Sequence, residues 1–129
     1  MFDIIDQIYD FNEQVIGLQL EIDFNTLSPP QHAWTVKFVE EELAEFSEAF
    51  VKQDLIGMVD GIGDLIYGAI GTFKKMGLSR DQVRAVFSVI HMANMTKKRG
   101  NKGRGTDEDA VKPADFEPPE EAIGKILFG

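Results

Sequence analysis

Residues 55–76 read Leu-Ile-Gly-Met-Val-Asp-Gly-Ile-Gly-Asp-Leu-Ile-Tyr-Gly-Ala-Ile-Gly-Thr-Phe-Lys-Lys-Met, apolar on almost every helical face and interrupted by glycines and by two acids, Asp60 and Asp64. Such a helix is interior or lies at a subunit interface, because it has little polar side to offer to water. Gly57, Gly61, Gly63, Gly68 and Gly71 each lower helix propensity by up to about 1 kcal/mol relative to alanine, so their density makes sense where neighbouring helices come very close. In a stretch expected to be buried, Asp60 and Asp64 are costly unless paired, protonated or bound to a metal. The run Val-Glu-Glu-Glu-Leu-Ala-Glu-Phe at 39–46 adds more carboxylates and no cation to neutralise them. A divalent cation is the partner this pattern requires.

The rest of the chain reads as helix as well. Ile4, Ile5, Ile8, Phe11, Val15 and Ile16 recur at helical spacing and predict an amphipathic helix over 2–20, weakened at Gly17. Ser28-Pro29-Pro30 is a stop and a new start, since proline is tolerated in a first turn, and a second helix is expected over 31–52. The third covers 55–76. Gly77 and Ser79 read as a C-cap followed by an N-cap, which opens a fourth helix over 80–97. Lys97 to Arg104 then holds five of the 13 basic residues, and the acids at 107–109 reverse the sign. This segment is expected to be a flexible connector, followed by a short helix over 120–128. No alternation strong enough to predict a sheet is present. The expected organisation is a helical core, 1–97, with a basic and acidic loop and proline-rich tail, 98–129, packing on it.

Composition removes several chemistries. The chain has no cysteine, and His32 and His91 are too far apart in sequence to suggest a zinc pair, so hard oxygen ligands remain. A net charge of −9 argues against nucleic acid as a partner of the whole surface. No uninterrupted apolar run reaches the ~18 residues of a membrane span, and the first residues carry acids where a leader would carry Lys or Arg. A soluble, cytoplasmic protein with no membrane partner is expected.

Residues three or four apart on a helix lie above one another, so Glu41 and Glu45, Glu42 and Glu45, and Asp60 and Asp64 each share a face. If the two helices pack side by side, these oxygens can converge at the roughly 2.1 Å ligand distance of magnesium. A glutamate-rich helix alone is most simply a solvated face; the two aspartates downstream favour a metal site. Trp34, shortly before the acidic run, is either core or part of a substrate pocket.

Glu41-Glu42-Leu-Ala-Glu45, then Asp60-Gly-Ile-Gly-Asp64, and later Ile90-His-Met-Ala-Asn-Met-Thr-Lys97 with 111–119, resemble the motifs of the all-α nucleotide pyrophosphohydrolase superfamily. That superfamily includes MazG, dimeric dUTPases and phosphoribosyl-ATP pyrophosphohydrolase, and the phosphoribosyl-ATP pyrophosphohydrolase-like branch is the most similar. The resemblance covers residues 30 to 120. It implies an all-α, antiparallel four-helix bundle of the MazG-like type, assembled as a homodimer or homotetramer. It also implies magnesium-dependent hydrolysis of a nucleoside triphosphate to its monophosphate and pyrophosphate, in a nucleotide-pool role, with Mn2+ able to replace Mg2+. Glu42, Glu45 and Asp64 would be metal ligands, with Asp60 as a fourth. Glu41 would be the general base, and Asn94 and Lys97 would contact the nucleotide's phosphates or sugar. The base would lie near Phe11, Asn12 or Trp34. The family's second motif places Glu three residues before Asp, where this chain has Gly61, and Asp60 stands one position earlier, about 100° around the helix. Hydrolysis of phosphoribosyl-ATP, a phosphatase releasing orthophosphate, and a non-catalytic helical oligomerisation module are the alternatives.

Overall fold

The computed structural model describes residues 2–19 and 23–129. The chain divides into two compact units, Met1–Arg80 and Asp81–Gly129. Helices dominate both, in keeping with an all-α reading.

The first unit holds α1 (Ile4–Gln14), α2 (Pro29–Val51) and α3 (Leu55–Lys75). Asp3 caps α1 by accepting from the Asp6 amide at 3.1 Å while the Asp6 carboxylate accepts from the Asp3 amide, so two otherwise unpaired donors are satisfied reciprocally. The helix is shorter than the 2–20 expected: Val15 is its C-cap and Gly17 takes φ +78, while Leu20 lies outside the described residues. Ser28 and Gln31 form the same reciprocal cap on α2, and Pro29 and Pro30 occupy its first turn. Asp54 caps α3 by accepting from the Gly57 amide at 3.0 Å.

Helices α2 and α3 run antiparallel at close range, as the would-be side chains of three glycines show. A Cβ on Gly57 would meet Ala49, one on Gly61 would stand 3.4 Å from the backbone of Phe46, and one on Gly68 would overlap the Phe38 ring. The glycine density of α3 therefore does serve close helix approach. Its burial does not follow the expectation. Only Gly61, Ile70, Gly71 and Lys74 of α3 are buried, while Ile56 is 82% and Val59 65% exposed. Asp60 and Asp64, placed by sequence in a buried stretch, are exposed. The reason is that α2 and α1 cover one side of α3 and leave the other open within the chain. By length and composition alone α3 is also long enough to cross a membrane, the one such helix among the described residues. Its two aspartates would be costly at the centre of a bilayer.

Polar contacts fasten α1 to the end of α3 and the residues after it. Arg80 pairs with Asp6 at 2.9 Å, Asp10 at 2.7 Å and Glu13 at 3.2 Å, and Lys74, only 2% exposed, pairs with Glu13 at 3.1 Å. The Tyr9 hydroxyl donates to the Leu78 carbonyl at 2.6 Å. Burial, partly opposed by the nearby Arg80 charge, pushes the Tyr9 phenol up to about 12, so it stays a donor at any ordinary pH. Tyr9→Phe removes that buried hydrogen bond, and a loss of about 1–3 kcal/mol in unfolding free energy is expected in a urea titration.

The second unit contains most of α4 (Arg80–Asn94), a two-stranded antiparallel hairpin of β1 (Lys98–Gly100) and β2 (Asp109–Val111), and α5 (Glu120–Phe128). The hairpin corrects the expectation of a flexible connector. Lys98 stands opposite Val111, Arg99 opposite Ala110 and Gly100 opposite Asp109. Arg99 pairs with Asp107 at 2.9 Å and Arg104 with Asp109 at 2.7 Å, so the reversal of charge along the sequence is the pairing itself. Strands of three residues are too short to display alternation.

Candidate active site

Along α2, Trp34, Phe38 and Glu42 follow one another at successive helical turns; along α3, Asp64, Gly68, Gly71 and Lys75 do the same in the opposite direction. With Phe11 and Asn12 of α1 these positions line one cavity of about 690 Å³ in the first unit. That volume lies within the range of small-molecule sites, roughly 300–1,000 Å³. One end is carboxylate, the middle is aromatic and the far end carries an amine.

At the carboxylate end Glu42 is half-buried, and its Oε2 is fully covered with no hydrogen-bond partner. Burial, followed by the charge and hydrogen bond of Glu45 and then by Asp64 and Asp60, holds the Glu42 carboxyl above its ordinary range. Glu45 from α2 and Asp64 and Asp60 from α3 thus all act on Glu42. Among the described residues no three of them stand close enough to ligate a single ion as they are. Glu45, Asp60 and Asp64 are exposed, whereas Glu42 is half-buried. A covered anionic oxygen that lacks a donor and is surrounded by acids suits a hard cation, so this donor set fits magnesium in its chemistry.

Gly61 is buried against the backbone of Phe46. A glutamate there would be directed into α2, whereas Asp60 lies on a side of the helix from which it raises the Glu42 pKa. In this chain the earlier position is therefore the one electrically coupled to the cluster.

In the aromatic middle the Trp34 and Phe38 rings stack at 5.3 Å with an interplanar angle of 8°, and Phe11 meets Tyr67 edge-on at 5.5 Å. At the far end the Lys75 ammonium lies 3.6 Å from the centroid of the Trp34 ring, and burial lowers its pKa.

The cavity brings together Phe11, Asn12, Trp34, Glu42 and Asp64 of the residues expected from sequence. Glu41 is exposed and outside its lining. Asn94 and Lys97 belong to the second unit, where they border a hollow of about 350 Å³ with Lys98, Arg99 and Asp109. The Lys97 ammonium lies 5.4 Å from the centroid of the Phe116 ring. Sequence reading missed Phe38, Tyr67 and Lys75. The signal for Phe38 was its place one turn after Trp34 and one before Glu42; Lys75 gave none, being an ordinary cation at a helix C-terminus.

A search of the curated proteins finds no match. The family model for phosphoribosyl-ATP pyrophosphohydrolase matches residues 12–94, from the amide at the cavity wall to the end of α4. That match takes in the acidic run, the two aspartates and Trp34, Phe38 and Tyr67 of the aromatic lining, so the chain belongs to the phosphoribosyl-ATP pyrophosphohydrolase family, within the MazG-like all-α NTP pyrophosphohydrolase superfamily.

Proposed function

We propose that the protein is a magnesium-dependent nucleoside triphosphate pyrophosphohydrolase, converting an NTP or dNTP and water to the monophosphate and pyrophosphate. The observation that carries this reading is the covered, unpartnered Glu42 oxygen among three further acids at one end of an aromatic cavity. Glu42, Glu45, Asp64 and Asp60 would hold the metal, Mg2+ or Mn2+. When bound, the cation neutralises phosphate charge and lowers the pKa of the attacking water. Glu41, on the same helix, is the candidate to take that water's proton. Trp34 and Phe38 offer a flat apolar surface for a base, and Asn12 offers a directional polar contact. Asn94 and Lys97 are the candidates for contacts with the phosphates or sugar. A nucleotide-pool role in the cytoplasm, away from membrane and nucleic acid, accords with this chemistry and with the charge of −9.

Phosphoribosyl-ATP is the second reading, favoured by the family model itself. The decisive experiment is product analysis. Protein with magnesium and a panel of NTPs, dNTPs and phosphoribosyl-ATP should release pyrophosphate, and Glu45→Ala should reduce the rate at least ~100-fold. Release of orthophosphate would identify a phosphatase. Silence across the panel would leave the non-catalytic oligomerisation module.

We also infer that the helices function as an antiparallel four-helix bundle within a homodimer or homotetramer. Ile56, Val59, Ile62 and Ile66 recur at helical spacing and are all exposed within the chain, a stripe that another copy would cover. Sedimentation should give an oligomer, and Val59→Glu with Ile66→Glu should give monomers.

A further inference from the structure

The far end of the cavity contains two groups that the hydrolytic chemistry does not use. Lys75 has no carboxylate partner among the described residues; its ammonium rests on Trp34, and burial alone lowers its pKa. An amine so placed has donors to give and, among the described residues, only the indole face is seen to meet them. Asn12 is buried, and its Nδ2 donates to the Ile8 carbonyl at 2.8 Å. That bond fixes the orientation of the amide and leaves Oδ1, an acceptor, as the atom it can offer to a ligand. The Asn12 amide lies against Gly71, and Lys75 follows Gly71 by one turn of α3, about 6 Å of rise. An acceptor and a donor therefore line the same cavity at this end.

Their distance from the carboxylates suits a nucleotide. Trp34 precedes Glu42 by about 12 Å of helix, and Lys75 follows Asp64 by about 16 Å. With the reacting phosphate at the carboxylates, a base that displaces the Lys75 ammonium from the Trp34 face brings its outer edge toward Asn12 and Lys75.

We propose that Asn12 and Lys75 form a base-reading pair that selects a lactam edge, the adjacent N–H and C=O of hypoxanthine, guanine, uracil or thymine. The N–H donates to Asn12 Oδ1 and the carbonyl accepts from Lys75 Nζ. Adenine and cytosine present the reverse pattern, a ring-nitrogen acceptor beside an amino donor, which sets donor against donor at Lys75 and acceptor against acceptor at Asn12. Sites built on such hydrogen bonds reject the mismatched analogue far more strongly than apolar pockets reject a methylene. This inference deepens the nucleotide reading above and rests on it, since it names the substrate class of the same cavity.

Trp34 is the only tryptophan, so its emission reports occupancy of this cavity directly. Titration of the protein with IMP, AMP, UMP and CMP, excited at the red edge of the indole band, tests base recognition without any bond being cleaved. IMP should bind at least ~10-fold more tightly than AMP, and UMP than CMP, and Lys75→Met should bring both ratios to within about threefold of unity. Ratios near unity in the wild type, ratios that survive in Lys75→Met, or no response to any monophosphate would each overturn the proposal. Retained base selectivity without pyrophosphate release would count against the hydrolytic reading and leave the base-reading pair standing.

Discussion

Glu42→Gln is expected to reduce pyrophosphate release at least ~1,000-fold while leaving the metal-free protein no less stable than the wild type. The two effects share one cause. Glu42 is the acid whose oxygen is covered and unpartnered, and Glu45, Asp64 and Asp60 all oppose its ionisation. The neutral isostere removes that repulsion and removes the anchoring ligand with it. The pH dependence follows from the direction of the shift. The folded carboxyl holds its proton more tightly than the unfolded chain, whose ordinary value is 4.5, so its contribution to stability is full below that value and is lost as pH rises through the folded value. Thermal melts of the metal-free wild type should decline over that window, and Glu42→Gln should lack that part of the decline. Magnesium should raise the wild-type midpoint, less so as acid protonates Glu42, and should leave the variant's midpoint almost unchanged.

Gly68→Leu should both destabilise the first unit and close the cavity. Any Cβ at this position would overlap the Phe38 ring, which stacks on Trp34, so a leucine evicts the ring from the α2–α3 contact and fills the space beside it. Overpacking of this kind costs about 1–3 kcal/mol, more than the roughly 1 kcal/mol of helix propensity gained by losing a glycine. Chemical denaturation should show a net loss of about 2 kcal/mol or less. Trp34 emission should shift as the indole loses its neighbour and should stop responding to nucleotide.

The helices were legible because their signals are local. Ser28-Pro29-Pro30 announces a new helix start, and α3 falls at 55–75 against an expected 55–76. The spacing put the acids on two helices, and Glu45, Asp64 and Asp60 do act on Glu42, but no three of them converge on one point among the described residues. The burial of Asp60 and Asp64 was misjudged, because periodicity shows that a face is apolar and cannot show what covers it. Lys74 is the converse case: nothing in the pair Lys74-Lys75 shows that one amine is buried against Glu13 and the other rests on an indole. The first placement depends on α1 meeting α3 across 61 positions and the second on α2 meeting α3 across about forty, long-range contacts that leave no periodic trace. The hairpin was hidden for a different reason, since strands of three residues offer no alternating face to read.

The amine over Trp34 also has a chemical consequence. Burial lowers the Lys75 pKa, so at mildly alkaline pH a larger fraction of this side chain is the free amine than at a fully hydrated lysine. A free amine is a nucleophile, and this one borders a cavity in which an aromatic electrophile could stack on Trp34 and Phe38 before reacting. Lys75 is therefore the lysine of this chain best placed for selective acylation, a point at which the enzyme could be labelled or inactivated covalently.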